Sequence, residues 1–236
     1  MTERNRRRVF RTEQLLRIGA SAMHWHDDAL VIDLDEWAAP IPKRICGTIR
    51  LTPSSFPGRA FALDRLGRHV WQPIAPRARI EVSLDQPALG WSGTAYMDSN
   101  YGSEPLETGF RDWTWSRAHL EQDCVVMYDA HRRDDTETTL ALRFDSLGRF
   151  QSFEPPPIVS LPSTFWRVKR ETRATSAADV VIRNTLEDTP FYARTRFSSK
   201  LLGETAECFH ESLSLDRFAS PLVQAMLPFR MPRWTF

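Results

Sequence analysis

The chain has 236 residues, 42% of them hydrophobic and 26% charged, enough for one large or two small domains with a sizeable core. Its 31 basic and 30 acidic residues leave a net charge of +1, without the basic excess of a nucleic-acid binder. Three widely spaced cysteines form neither a CxxC pair nor a Cys/His cluster, so a disulfide framework and a zinc site are not expected. They read as reduced thiols of a cytoplasmic protein. No apolar run approaches the roughly 20 residues of a spanning helix.

In chain order, the start is basic: Arg4, Arg6, Arg7, Arg8 and Arg11 gather beside Glu3 and Glu13. A solvated end is expected there, with contact to an anionic membrane surface as the other reading. These polar residues are unlike a signal peptide. His24-Trp25-His26 could offer a metal-ligand pair, but no carboxylate framework surrounds it, and a packed strand end is expected. Ala29 to Asp35 reads as a strand. Arg77 to Leu84 alternates strictly, placing Ala78, Ile80, Val82 and Leu84 on one face. Further strands are expected at 138–144, 179–184 and 191–197. Sixteen prolines break most helical windows, leaving one short helix over 214–227. Glu154-Pro155-Pro156-Pro157 is a stiff connector. Short strands spaced by turns predict a sandwich or barrel. A Gly, Pro and acid-containing stretch from Gly102 to Gly109 marks the expected boundary between domains at 1–105 and 106–236.

No GxSxG elbow, Walker loop, GxGxxG or HExxH occurs, so no nucleotide cofactor or metal is expected. Three patterns remain. In Tyr96-Met97-Asp98, strand alternation puts Tyr96 and Asp98 on one face. Apolar surroundings disfavour a charged carboxylate, and a protonated Asp98 could donate a proton. Asp98-Ser99-Asn100 is also common turn chemistry, the reading these residues favour by themselves. In His69-Val70-Trp71, an extended chain aligns His69 with Trp71: a hydrogen-bonding His beside a ring face that attracts cations, or a loop residue beside a packing Trp. Trp113 and Trp115 alternate likewise and could line an elongated apolar pocket or belong to the core. Acid, His and aromatic walls together suit chemistry through a carbocation.

Five segments carry a resemblance: Ser21 to Trp25, Ala29 to Asp33, Gly67 to Pro76, Ala95 to Glu107, and Phe110 to Arg117. In combination the sequence resembles the carotenoid 1,2-hydratase family, also called hydroxyneurosporene synthase. The resemblance implies an all-β fold of two lipocalin-like antiparallel β-barrel domains. It implies a hydro-lyase that adds water, without a cofactor, to the terminal double bond of an acyclic carotenoid, giving a tertiary 1-hydroxy group. The acid then falls on Asp98, its partner on His69, and the aromatic site residues on Trp71 and Tyr96. Family members begin well upstream of Met1, so the first barrel is expected to be incomplete, with open edges. A related terpenoid or polyketide cyclase, or a non-catalytic carrier of apolar ligands, would share the scaffold. The implied partners are an acyclic carotenoid and water. The expected location is the cytoplasm, with peripheral contact at the inner face of the cell membrane through the acid-free stretch 221–236.

Overall fold

The computed structural model describes residues 3–39, 41–230 and 233–234. Strands dominate, and every strand pair with a defined register is antiparallel except Glu3–Arg4 with Arg233–Trp234. The chain forms two compact units that interleave in sequence. One comprises Met1–Ser55, Arg77–Met97 and Ala225–Phe236; the other comprises Phe56–Pro76 and Asp98–Gln224. The division expected at residue 105 is a sequential one. In the folded chain the strands His69–Gln86 and Leu89–Gly102 each contribute residues to both units.

In the first unit a sheet runs from Val9–Arg11 through Leu15–Ile18, Ser21–His26, Ala29–Trp37 and Arg44–Pro53 to the later part of His69–Gln86, which also pairs with Leu89–Gly102. The predicted alternation explains its packing. Met23, Ile32, Ile49 and Val82 stand opposite one another across four strands, and Trp25, Leu30, Leu51 and Ile80 form the next row. Directly opposed residues share a face, so each row brings apolar side chains together, with Leu30, Leu51 and Val82 buried and Trp25 exposed at the end of its row. Of the basic start, Arg6–Arg8 form an exposed 3-10 turn, whereas Arg4 bonds Glu36 at 2.5 Å. His24 lies 3.7 Å from Asp33, and His26 pairs with the adjacent Asp27. Among the described residues no three His, Cys, Asp or Glu side chains gather into a metal site.

The second unit holds a seven-stranded sheet in the order Phe150–Ser152, Glu137–Phe144, Cys124–Arg132, Phe110–His119, Glu204–Ser214, Tyr192–Leu201, Val181–Asp188. The all-β expectation holds, but the two outer strands do not pair, so this sheet is open rather than closed into a barrel. Alternation sorts its side chains by face. Ala118, Val125, Met127, Ala141, Phe197 and Cys208 pack together on one side as a fully buried apolar cluster. Arg173, on the short strand Glu171–Arg173, forks onto Asp129 with bonds of 2.7 and 2.8 Å. Thr139 donates a further hydrogen bond to Asp129. The three cysteines are free thiols.

The helix expected over 214–227 is two pieces, Leu215–Phe218 and Pro221–Arg230. Ser214 caps the first by accepting from the Arg217 N–H. Pro221 opens the second, where the amide proton it lacks would have no helical partner. Of the tail singled out for membrane contact, 231, 232, 235 and 236 lie outside the described residues. No described helix is long and apolar enough to cross a membrane.

Candidate active site

The strand His69–Gln86 begins at the first sequence-predicted site residue. Its opening residues alternate, so that His69, Trp71, Pro73 and Ala75 are buried while Val70, Gln72 and Ile74 are less so. Trp71 is 0% exposed. A buried indole N–H needs an acceptor, and it donates to Asp98 Oδ2 at 2.8 Å. Asp98 is half-buried on Leu89–Gly102. That strand continues through Ser99 and Asn100, so the turn available to Asp98-Ser99-Asn100 does not form. Tyr96 stands two residues earlier, half-buried, and belongs to the first unit.

His69 faces other partners. Its backbone N–H donates to Asp64 Oδ2 at 2.7 Å. Burial opposes the Asp64 charge, yet the backbone N–H groups of His69, Leu66 and Arg68 hold its carboxyl below the usual range. The imidazole Nε2 lies 3.2 Å from Glu104 Oε1, while Arg68 donates to Glu104 Oε2 at 3.0 Å. Nδ1 is buried without a hydrogen-bond partner among the described residues. The ring meets the Phe110 edge with centroids 4.8 Å apart. Gly102 and Gly109 close the other sides: a Cβ at either would come within 2.9 Å of Nδ1 or 2.8 Å of Nε2. The structure therefore joins Trp71 to Asp98 and His69 to Glu104.

Trp71 is also one link in a chain of rings. Phe61 lies 5.5 Å away and Tyr128 5.8 Å, centroid to centroid; Tyr128 meets Trp113 at 6.0 Å, and Trp113 meets Phe110 at 6.0 Å. Trp113 and Trp115 do share a face of the strand Phe110–His119. It is the face of the seven-stranded sheet opposite the apolar cluster. Across it, Tyr128, Trp115, Glu211 and Arg194 stand opposite one another on four consecutive strands. Trp113, Leu213 and Tyr192 form the neighbouring row. Arg194 donates to Glu211 Oε1 through both Nε and Nη2, at 3.0 and 2.8 Å. Burial raises the Tyr128 phenol well above the tyrosine range, and the charges of Asp98 and Glu211 add to it. Tyr192 is raised by burial and by Glu211.

Glu104, Tyr128, Glu211 and Arg194 were not marked by sequence reasoning. Glu104 lies inside the Gly102 to Gly109 stretch, where the close pair of glycines was the available signal. Tyr128 sits in an apolar run without a local motif. Glu211 and Arg194 acquire significance only through strand register.

A family model, "Carotenoid hydratase CrtC", matches residues 1–236. The acyclic carotenoid 1,2-hydratase of Thiocapsa roseopersicina is 52% identical over 99% of this chain, and that of Rubrivivax gelatinosus 44% over the same share. The chain spans 58% of the length of each of these relatives. Among solved structures, an AttH protein from Nitrosomonas europaea superimposes with a TM-score of 0.56 at 13% identity, covering 89% of this chain and 72% of that one. That likeness speaks to the fold alone. The full-length match to the family model, with relatives this similar, places the chain in the carotenoid hydratase CrtC family.

Proposed function

We propose that this chain carries the acid site of a hydro-lyase that adds water to the terminal C1–C2 double bond of an acyclic carotenoid. The observation that carries the reading is the Trp71 hydrogen bond to Asp98 beside a run of aromatic rings. Relatives named acyclic carotenoid 1,2-hydratase support it.

The reacting end of such a substrate is a trisubstituted alkene with no polar handle. Asp98 gives its proton to C2, and positive charge develops on the tertiary C1. Ring faces attract cations by ~0.5–2 kcal/mol each, more when dry. Trp71 takes this role, supported by its contact with Tyr128 and, beyond that, Trp113; Tyr96 is a further aromatic participant in the proposed reaction. Trp113 and Trp115 bind the hydrocarbon, whose affinity comes from apolar burial at about 25 cal/mol per Å². His69, held by Glu104, secures the end of the strand that presents Trp71. The scheme uses no cofactor. A substrate of this kind resides in a bilayer, so the protein meets the inner face of the cell membrane peripherally.

Asp98→Asn tests the acid. The amide still accepts the Trp71 N–H but has no acidic proton. Hydration of an acyclic carotene should fall by about 10²–10⁴-fold, with the circular dichroism spectrum unchanged. Full retained activity would remove Asp98 from the mechanism. Finding carotene bound but chemically unaltered by the native chain would favour a carrier, and an unlabelled cyclised product in ¹⁸O-water would favour a cyclase.

A further inference from the structure

Hydration requires two proton transfers, and Asp98 accounts for the first. When the water oxygen bonds to C1, the resulting oxonium must lose a proton. His69 is poorly disposed to take it: Nε2 is engaged by Glu104, and Nδ1 is closed in against Gly102.

We propose that Glu211 is the proton acceptor for the incoming water, a second carboxylate serving the aromatic face on which Tyr128 meets Trp71. The proposal rests on the hydration reading above. Its geometric basis is the row Tyr128, Trp115, Glu211, Arg194, in which directly opposed residues of neighbouring strands share one face. Tyr128 touches the ring that bonds Asp98, so Glu211 stands two strands from that contact on the same surface. Its side chain is 25% exposed, enough for water to reach it. Both Arg194 bonds end on Oε1, and the Tyr192 phenol is a further hydrogen-bond partner, so the carboxylate is oriented by two neighbours on its own face. The influence of both Asp98 and Glu211 on the Tyr128 phenol is a second sign that the two carboxylates lie near one ring.

The steps balance. The C1–C2 π bond breaks as Asp98 forms the C2–H bond. The water oxygen forms the C1–O bond, and its surplus proton passes to Glu211. Solvent then returns a proton from Glu211 to Asp98, so one water is consumed and both carboxyls are restored. A merely structural Glu211–Arg194 pair would have no part in the partition of the cation.

That partition is the test. The chain is incubated with an acyclic carotene in phosphatidylcholine vesicles made up in D₂O. The 1-hydroxy product and the deuterium content of recovered carotene are measured together. With Glu211→Gln, hydroxylation should fall about 100-fold or more. Deuterium should still enter recovered carotene within a few-fold of the native rate, because Asp98 still forms the cation, which returns to an alkene by giving Asp98 the hydrogen that C2 already carried, or a methyl hydrogen, and so keeps the deuteron. Glu211→Asp should recover part of the hydroxylation. Asp98→Asn should lose both signals. Hydroxylation by Glu211→Gln within about threefold of the native chain overturns the proposal, as does joint loss of hydroxylation and exchange in a folded Glu211→Gln. A native chain that neither hydroxylates nor exchanges overturns the hydration reading itself, and Glu211 with it.

Discussion

Replacing Trp71 with Phe removes one N–H while keeping a ring beside Phe61 and Tyr128. In the proposed mechanism Asp98 enters the reaction as a neutral carboxyl accepting the 2.8 Å bond from Trp71; such bonds contribute about 0.5–1.5 kcal/mol. As Asp98 gives up its proton the acceptor becomes an anion, and the same bond is worth about 1.5–3 kcal/mol. Only the difference, about 1–1.5 kcal/mol, lowers the barrier. At 1.36 kcal/mol per decade, kcat should fall about five- to thirteenfold with KM little changed. Because Trp71 is fully buried, the smaller ring also leaves a void, and folding should weaken by about 1–3 kcal/mol. Single-turnover hydration would measure the first effect and urea unfolding the second. A kcat within twofold of the native value, in a variant shown to be folded, would refute the view that this N–H stabilises the departing charge. Trp71→Leu, which also loses the ring face, should be slower still.

His210, fully buried on the apolar-cluster face, has its pKa lowered to about 3, by burial and then by Arg170. The unfolded chain takes up this proton near pH 6.5, so the neutral ring stabilises the fold above that pH. The benefit is lost as pH falls towards 3, at about 1.36 kcal/mol per pH unit. At pH 4.5 the native chain should have lost about 2.7 kcal/mol relative to its value at pH 7. Urea titrations of native and His210→Gln chains would show the difference, and parallel pH dependences would disprove it. Gly109→Ala places a methyl 2.8 Å from His69 Nε2 and 3.2 Å from Glu104 Oε1. It should destabilise by about 1–3 kcal/mol, read as a lowered urea midpoint; an unchanged midpoint would mean the ring can move aside. Arg173→Met leaves the Asp129 carboxylate buried with its fork removed, at a cost of about 3–5 kcal/mol by the same measurement.

Much of the strand content was legible because alternation is local. Arg77 to Leu84 showed its inward face before any partner strand was known. The Trp71–Asp98 bond was only half legible: alternation paired His69 with Trp71 and Tyr96 with Asp98 within their own strands. Which members would meet across strands depends on register, and register depends on turns and bulges that sequence patterns fix weakly. The same cause hid Glu211 and Arg194, ordinary charged residues until strand pairing sets Glu211 opposite Trp115 and Arg194 opposite Glu211. His69 was legible as a site residue, but its bond to Glu104 depends on how the Gly102 to Gly109 stretch closes over the imidazole. The interleaving of the two units was illegible because no composition change marks residues 55–77 or 97–98.

The alternation of the strand Phe110–His119 has a further consequence. One parity, Ser116 and Ala118, belongs to the sealed side of the sheet; the other, Trp113 and Trp115, belongs to the aromatic side. A saturation library along this single strand should therefore yield two interleaved phenotypes, with loss of soluble protein at one parity and altered product profiles at the other. Substrate range could then drift through every second residue while the scaffold stays under separate selection, so that one short strand serves two almost independent evolutionary pressures.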